Sequence, residues 1–253
     1  MMPIIQIGIV KIYVFQIILS LDFYICFFYL LFAKPYCWLQ HRNYIYVTVF
    51  ALAAGAAGGR LLSAVTLYFQ DNSRTLLDYF IHGGSVFYGI LVTGFFSACL
   101  FARRYKIDFC RYASDVAQVL PLGQALGRIG CFMNGCCYGK EYNGPFGILY
   151  PVDGLKIKVF PVWFAEAFGC LLLFLFFRKN RFKRSRHSFL IYFITYGSLR
   201  YFVEFWRGDT IRGVYGWIST SQIISMIIVV SAVICLMITK RSEVHFNEKS
   251  KDN

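Results

Sequence analysis

The feature that most constrains this chain is a succession of long apolar runs, almost free of charge, separated by connections in which positive charge collects on every second one. Runs near Tyr44–Phe69, Gly84–Phe101, Pro161–Phe177, Phe189–Phe205 and Gly216–Thr239 come close to the roughly 17–25 residues a helix needs to cross a bilayer. The stretch Ile4–Phe32 holds only Lys11 and Asp22 as charges. It is longer than the apolar region of a signal peptide and lacks a small-residue cleavage pattern, so it is expected to form a first spanning helix. A weaker run, Ala113–Ile129, carries Asp115 and Arg128 and is rich in glycine, which predicts a broken or partly re-entrant helix lining a cavity. Apolar residues make up 58% of the 253 and charged ones 15%, against about 45–50% and 25% in soluble chains, so no soluble core explains them. The expected fold is therefore all-α: a polytopic integral membrane protein with about seven transmembrane helices. One domain is expected over residues 1–239, followed by a polar cytoplasmic tail over 240–253.

The basic connections orient the chain. Lys34 and Arg42, then Arg103, Arg104, Lys106 and Arg111, then the run from Arg178 to Arg186, and finally Lys240, Arg241, Lys249 and Lys251 hold most of the 26 lysines and arginines. Such loops stay in the cytoplasm, so seven spans put the amino terminus outside and the carboxyl terminus inside. This topology and attraction to anionic headgroups account for the net charge of +13, and no nucleic-acid partner is expected.

Charges within or at the ends of the apolar runs are costly unless they face a partner, a cavity or a ligand, and Arg60, Arg128, Glu166, Arg200, Glu204 and Arg207 are such charges. One reading is structural: spacings of four and three place Glu204 on one helix face with Arg200 and Arg207. The other is a ligand, because these arginines outnumber the carboxylates and a guanidinium fork suits phosphate oxygens. Glycines mark a second feature. Close helix packing explains isolated ones such as Gly55, Gly58 and Gly59. It explains Gly127-Arg128-Ile129-Gly130-Cys131-Phe132-Met133-Asn134-Gly135-Cys136-Cys137-Tyr138-Gly139 poorly, since there glycines bracket an arginine, an asparagine and three cysteines past a helix end, as in a binding loop.

That stretch resembles the motif Gly-Arg-x-Gly-Asn-Phe-x-Asn-x-Glu-x-x-Gly of the bacterial prolipoprotein diacylglyceryl transferases, with Gly127, Arg128, Gly130, Phe132, Asn134 and Gly139 in matching places. Gly59-Arg60, Phe101-Ala102-Arg103-Arg104, Ser114-Asp115, Pro161 with Glu166, the run from Arg200 to Arg207 with Asp209, and Ile218-Ser219-Thr220-Ser221-Gln222 resemble further family segments in order. Only the first span matches weakly, through Tyr13. The resemblance implies an enzyme of the bacterial plasma (inner) membrane that moves the diacylglyceryl group of phosphatidylglycerol onto the lipobox cysteine of a prolipoprotein signal peptide, with no cofactor. It implies that Arg128, Arg200 and Arg207 hold the leaving phosphate, that Glu204 orients an arginine, and that Gly130, Asn134 and Gly139 bind the headgroup. Arg60, Glu166, Gln222 and Tyr13 are expected to line or support the cavity.

Two departures stand out: Tyr88 and Phe160 occupy places where the family typically has histidine, so Tyr88 and His82 become the candidates for proton transfer. Cys131 and Cys136 replace the motif's asparagine and glutamate. Cys26, Cys99, Cys170 and Cys235 lie in apolar runs and are expected to pack as small hydrophobes, and Cys37 and Cys110 face the cytoplasm. For Cys131, Cys136 and Cys137 three readings stay open: a disulfide from Cys131 to one of the pair, a reactive thiol, or a metal site. The last lacks a fourth ligand and tight spacing, so no metal is expected. The alternatives to the transferase are the same fold with a different acceptor, or a non-catalytic phospholipid binder or transporter.

Overall fold

A computed structural model of the chain describes residues 4–7, 10–33, 42–70, 75–82, 84, 86–152, 155–178, 187–209, 214–215 and 218–249. Helices dominate: α1 (Val14–Ala33), α2 (Arg42–Gln70), α3 (Leu76–His82), α4 (Phe87–Arg104), α5 (Phe109–Ala117), α6 (Leu120–Asn134), α7 (Val162–Phe177), α8 (Ser188–Val203) and α9 (Thr220–Lys249). The chain divides into two compact units, Leu31–Tyr112 and the remainder, Met1–Leu30 with Ala113–Asn253.

In the first of these units α2 packs on α4 through small residues. A Cβ on Gly58 would run into the Thr93 side chain, and Thr93 donates its hydroxyl to the carbonyls of Ala54 at 2.9 Å and Gly89 at 2.7 Å. Close backbone approach with a hydroxyl bonded across the seam is how helices associate where lipid removes the hydrophobic drive.

The larger unit differs from the expectation at its start. Residues 4–13 do not begin the first helix: Ile4–Ile7 pairs antiparallel with Val10–Tyr13, and the helix opens only at Val14. The β-branched Ile4, Ile5, Ile7, Val10 and Ile12 favour a strand pair over a helix here. Two more hairpins, Ile148–Val152 with Leu155–Val159 and Val214–Tyr215 with Ile218–Ser219, add small β elements to the all-α expectation. The weak run Ala113–Ile129 is broken as expected: α5 stops at Ala117, and α6 starts at Leu120 with Pro121 in its first turn, where proline's missing N–H costs nothing. The helix α9 continues through Lys240 to Lys249.

The helices expose far more large apolar surface than a soluble protein does, and bury polar groups among them. On α7 the large apolar Phe164, Phe168, Leu171, Leu172, Leu175 and Phe176 are exposed, while Glu166 is completely buried beside Val162, Trp163, Cys170, Phe174 and Phe177. On α9 Ile223, Met226, Ile227, Val230, Ile234, Met237 and Ile238 face outward, and Gln222 and Ser225 inward. Water would not tolerate such a surface; hydrocarbon does. Two described helical segments, Arg42–Phe69 and Thr220–Arg241, are long and apolar enough to cross a bilayer, with Ile17–Leu30 and Val162–Phe177 as shorter apolar helices.

Candidate active site

The glycine-rich motif is the last two turns of α6 and the loop that follows. The helix ends in a Schellman turn: Gly135 takes φ 78°, Cys136 N–H donates to the Cys131 carbonyl at 3.2 Å, and Gly135 N–H to that of Phe132 at 3.4 Å. Glycine is needed at 135 because an L side chain resists that φ. The reversal is held from outside. Trp163 Nε1 donates to the Cys136 carbonyl and Tyr150 Oη to the Phe132 carbonyl, both at 2.6 Å, and Phe132, Tyr150 and Trp163 pack ring on ring. Burial pushes the Tyr150 phenol up to about 12, so at neutral pH it is a firm donor.

Arg128 projects from α6 one turn before Cys131. Its Nη2 lies 2.6 Å from Oε1 of Glu166 on α7, and the other carboxylate oxygen takes Nη1 of Arg200 on α8 at 3.2 Å. Arg200 Nη2 in turn meets Glu204 Oε2 at 2.9 Å, the partner expected from the four-residue spacing. Glu204 Oε1 accepts the Ser219 hydroxyl at 2.9 Å. The result is one chain of alternating charge, Arg128, Glu166, Arg200 and Glu204, across three helices, with every member largely buried. A carboxylate at the hub of two guanidinium groups offsets their desolvation, and each arginine holds the carboxylate in place.

Ser219 and Gln222 form a capping box at the start of α9. Gln222 N–H donates to Ser219 Oγ at 3.2 Å, and Ser219 N–H to Gln222 Oε1 at 3.0 Å. The Gln222 side-chain oxygen, expected to line the cavity, is thus engaged in the cap. The Ser-x-x-Gln pattern was the signal for this.

Arg207 forms a separate pair with Asp209, Nε to Oδ1 at 3.3 Å and Nη2 to Oδ2 at 3.1 Å. The surplus of positive charge expected among the buried arginines is therefore absent from these residues, because Asp209 lies beyond the apolar run and joins through this fork. The loop and Arg207 share backbone contacts: Gly139 bridges Arg207, Lys140 N–H donates to the Trp206 carbonyl at 2.9 Å, and Gly208 N–H to that of Tyr138 at 3.0 Å. Gly208 is required for this approach, since a Cβ there would collide with the Gly139 carbonyl, and a Cβ on Gly139 would collide with the Phe160 carbonyl on its other side. Gly130 is buried within α6, and Asn134 is its final residue, with Nδ2 3.8 Å from Cys136 Sγ.

The three cysteines converge. Cys131, Cys136 and Cys137 are free thiols, half-buried, with all sulfurs within 4.8 Å of one another. Cys137 has φ 61°, unusual for a residue with a side chain. Its thiol is pulled below the ordinary value by hydrogen bonds from the Cys131 and Cys136 thiols, and the charges of Arg207 and Arg128 add to the effect.

The structure brings together Arg128, Glu166, Arg200, Glu204 and Gln222 as one bonded network, and Arg207, Gly139, Asn134, Cys131 and Cys136 around the motif loop. Arg60 lies on α2 in the other unit, on an exposed position. Tyr13, His82 and Tyr88 have side chains outside the described residues. Sequence reasoning missed Tyr150 and Trp163, which hold the loop; two aromatic residues among 49 tryptophans, tyrosines and phenylalanines carry no local signal.

The family described as "Prolipoprotein diacylglyceryl transferase" matches residues 3–238. Among similar proteins, the phosphatidylglycerol–prolipoprotein diacylglyceryl transferase 2 of Clostridium perfringens is 33% identical over 201 residues, 76% of this chain and 77% of that one. The corresponding transferase of Clostridium tetani is 32% identical over 194 residues, covering 74% and 77%. That of Clostridioides difficile is 29% identical over 220 residues, covering 85% and 83%.

Proposed function

This chain belongs to the prolipoprotein diacylglyceryl transferase family, and from that membership we propose that it moves the diacylglyceryl group of phosphatidylglycerol onto the lipobox cysteine of a prolipoprotein. A carbon–sulfur bond forms at the glycerol carbon bearing the phosphate, and the carbon–oxygen bond to that phosphate breaks. The electron pair leaves on oxygen as glycerol phosphate, and the thiol proton balances the released phosphate monoester. No oxidant or reductant enters.

The observation that carries this reading is the buried chain from Arg128 to Glu204. Transfer needs positive groups fixed before charge develops on the departing phosphate, and fixed guanidinium groups in a dry site do this with little reorganisation. Among the described residues Arg128 commits only Nη2–H to protein, to Glu166, so its remaining N–H groups are free to take phosphate oxygens. Arg200 is held between two carboxylates and serves to position Glu166. Arg207, bridged to the motif loop at Gly139 and paired with Asp209, adds a second guanidinium beside that loop. The Asn134 side-chain amide supplies a further donor for a headgroup.

We further read the protein as crossing a bacterial inner membrane seven times, by α1, α2, α4, the broken α5–α6 pair, α7, α8 and α9, with the amino terminus outside and the basic Lys240–Arg241 end inside. The exposed apolar faces of α7 and α9 and the placement of lysine and arginine support it.

The test is an assay in detergent with phosphatidylglycerol and a lipobox peptide, following glycerol phosphate release and peptide mass. Release together with a diacylglyceryl mass gain, abolished by Arg128→Ala, is the expected result. Bound lipid with neither signal would refute the transferase reading and favour a binding role; release without peptide modification would point to another acceptor.

A further inference from the structure

The departure of this chain from its family's motif is concentrated in sulfur. Read along the sequence, Cys131, Cys136 and Cys137 are too widely spaced for a metal site, but the Schellman turn at Gly135 folds the last two back over the first. Their sulfurs all lie within 4.8 Å. A zinc–sulfur bond of about 2.3 Å sets three thiolates about 3.8 to 4.0 Å apart, in tetrahedral or trigonal geometry, so closure onto an ion needs shifts of under about 1 Å. The frame is stiff enough to keep the triangle: the carbonyl of Cys136 is held by Trp163 and that of Phe132 by Tyr150.

The geometry points to a three-thiolate site for one thiophilic divalent cation of the zinc class, built by Cys131, Cys136 and Cys137, with a fourth position open to a substrate thiol. Three thiolates with one dication carry a single negative charge, and the loop that carries them is bridged through Gly139 to Arg207. Thiolate donors select such ions over magnesium or calcium, and three protein ligands with one open position is the pattern of sites that do chemistry. Three thiol protons are released to solvent when the ion binds. A cysteine thiol entering the fourth position loses its proton to solvent as well, because coordination deprotonates it outright. That step meets the demand left by Tyr88 and Phe160 standing where the family typically has histidine. The acceptor role of the fourth position rests on the proposed transferase reading; the metal site does not.

The experiment uses the full chain, reduced and purified in detergent, with cadmium as the probe. Titration is expected to give one cadmium per chain, with a sulfur-to-cadmium charge-transfer band in the ultraviolet, while magnesium gives none. Iodoacetamide followed by peptide mapping then finds Cys131, Cys136 and Cys137 protected by cadmium and the exposed Cys110, which lies outside the long apolar helices, alkylated as before. This readout needs no variant that must fold. Cys137→Ser is expected to abolish the band, and Cys110→Ser to leave it intact. Adding a lipobox peptide is expected to strengthen the band, and its serine counterpart to leave it unchanged. Absence of the band, or equal alkylation of all three thiols with and without cadmium, overturns the site. A band indifferent to the peptide overturns the acceptor role. Diacylglyceryl transfer measured in parallel separates a failed reaction from a failed site.

Discussion

The guanidinium Nη2 of Arg128 lies 2.6 Å from Oε1 of Glu166, joining the motif helix to α7 through a carboxylate with no exposure to solvent. Glu166 is shared with Arg200, so its loss takes the carboxylate from buried Arg128 and leaves Arg200 with Glu204 alone. Glu166→Gln is expected to destabilise the protein by about 3 kcal/mol or more, the cost of breaking a buried pair from one side. Thermal unfolding in detergent measures this. The double variant with Arg128→Met should recover part of the loss; a double variant as unstable as the sum of its parts would show that the two residues are not coupled.

Arg128→Lys separates charge from geometry. Lysine keeps the cation for Glu166 but has no planar fork to offer a phosphate. We expect melting close to wild type with kcat lowered roughly a hundredfold, the scale of losing one fixed donor to developing charge. Equal losses in stability and activity would assign Arg128 to the scaffold.

Ser219 links the α9 cap to Glu204, so Ser219→Ala removes two bonds at once. The cap alone is worth about 1 kcal/mol, and Gln222→Ala should cost a comparable amount. Ser219→Ala should therefore be the more damaging of the two in an unfolding series. The reverse order would mean that Glu204 does not depend on the serine hydroxyl.

A Cβ at position 139 would press on the Phe160 carbonyl and open the bridge to Arg207. Gly139→Ala should lower transferase activity strongly through displacement of Arg207, and hydrogen exchange of residues 138–140 should rise with it. Unchanged exchange at Lys140 would contradict this link.

Tyr150 titrates at about 12, above its ordinary value near 10, because burial disfavours the phenolate and only the neutral form donates to the Phe132 carbonyl. Since the folded-state value is the higher one, the stability it contributes is complete below pH 10 and is lost as pH rises toward 12. Unfolding followed between pH 9 and 12 should show this decline in the wild type and a flatter curve in Tyr150→Phe. Identical slopes would remove Tyr150 from the cause.

The solvent of this protein was legible in its sequence, as was its most informative segment. Hydropathy and run length depend on composition over a window, and a loop made of glycine, arginine and cysteine is conspicuous wherever the chain places it. The break between α5 and α6 was expected from a short, glycine-rich run, but it falls just ahead of Pro121 while Gly123 and Gly127 lie within α6; the Arg200–Glu204 pair followed from a spacing of four. Residues 4–13 misled because an apolar run has the same hydropathy as strand or helix, and the β-branched residues decided for the hairpin.

What the tertiary structure alone decided are the partners distant along the chain. Nothing in the order of residues says that Glu166 sits between Arg128, 38 positions earlier, and Arg200, 34 later. Nor does it say that Trp163 and Tyr150 close over the turn carrying Cys131, Cys136 and Cys137. Sequence patterns report what a segment does by itself, its solvent, its period and its caps. Charge pairing and the convergence of three sulfurs depend on how helices from separate segments pack, and only there does a buried charge find what offsets it.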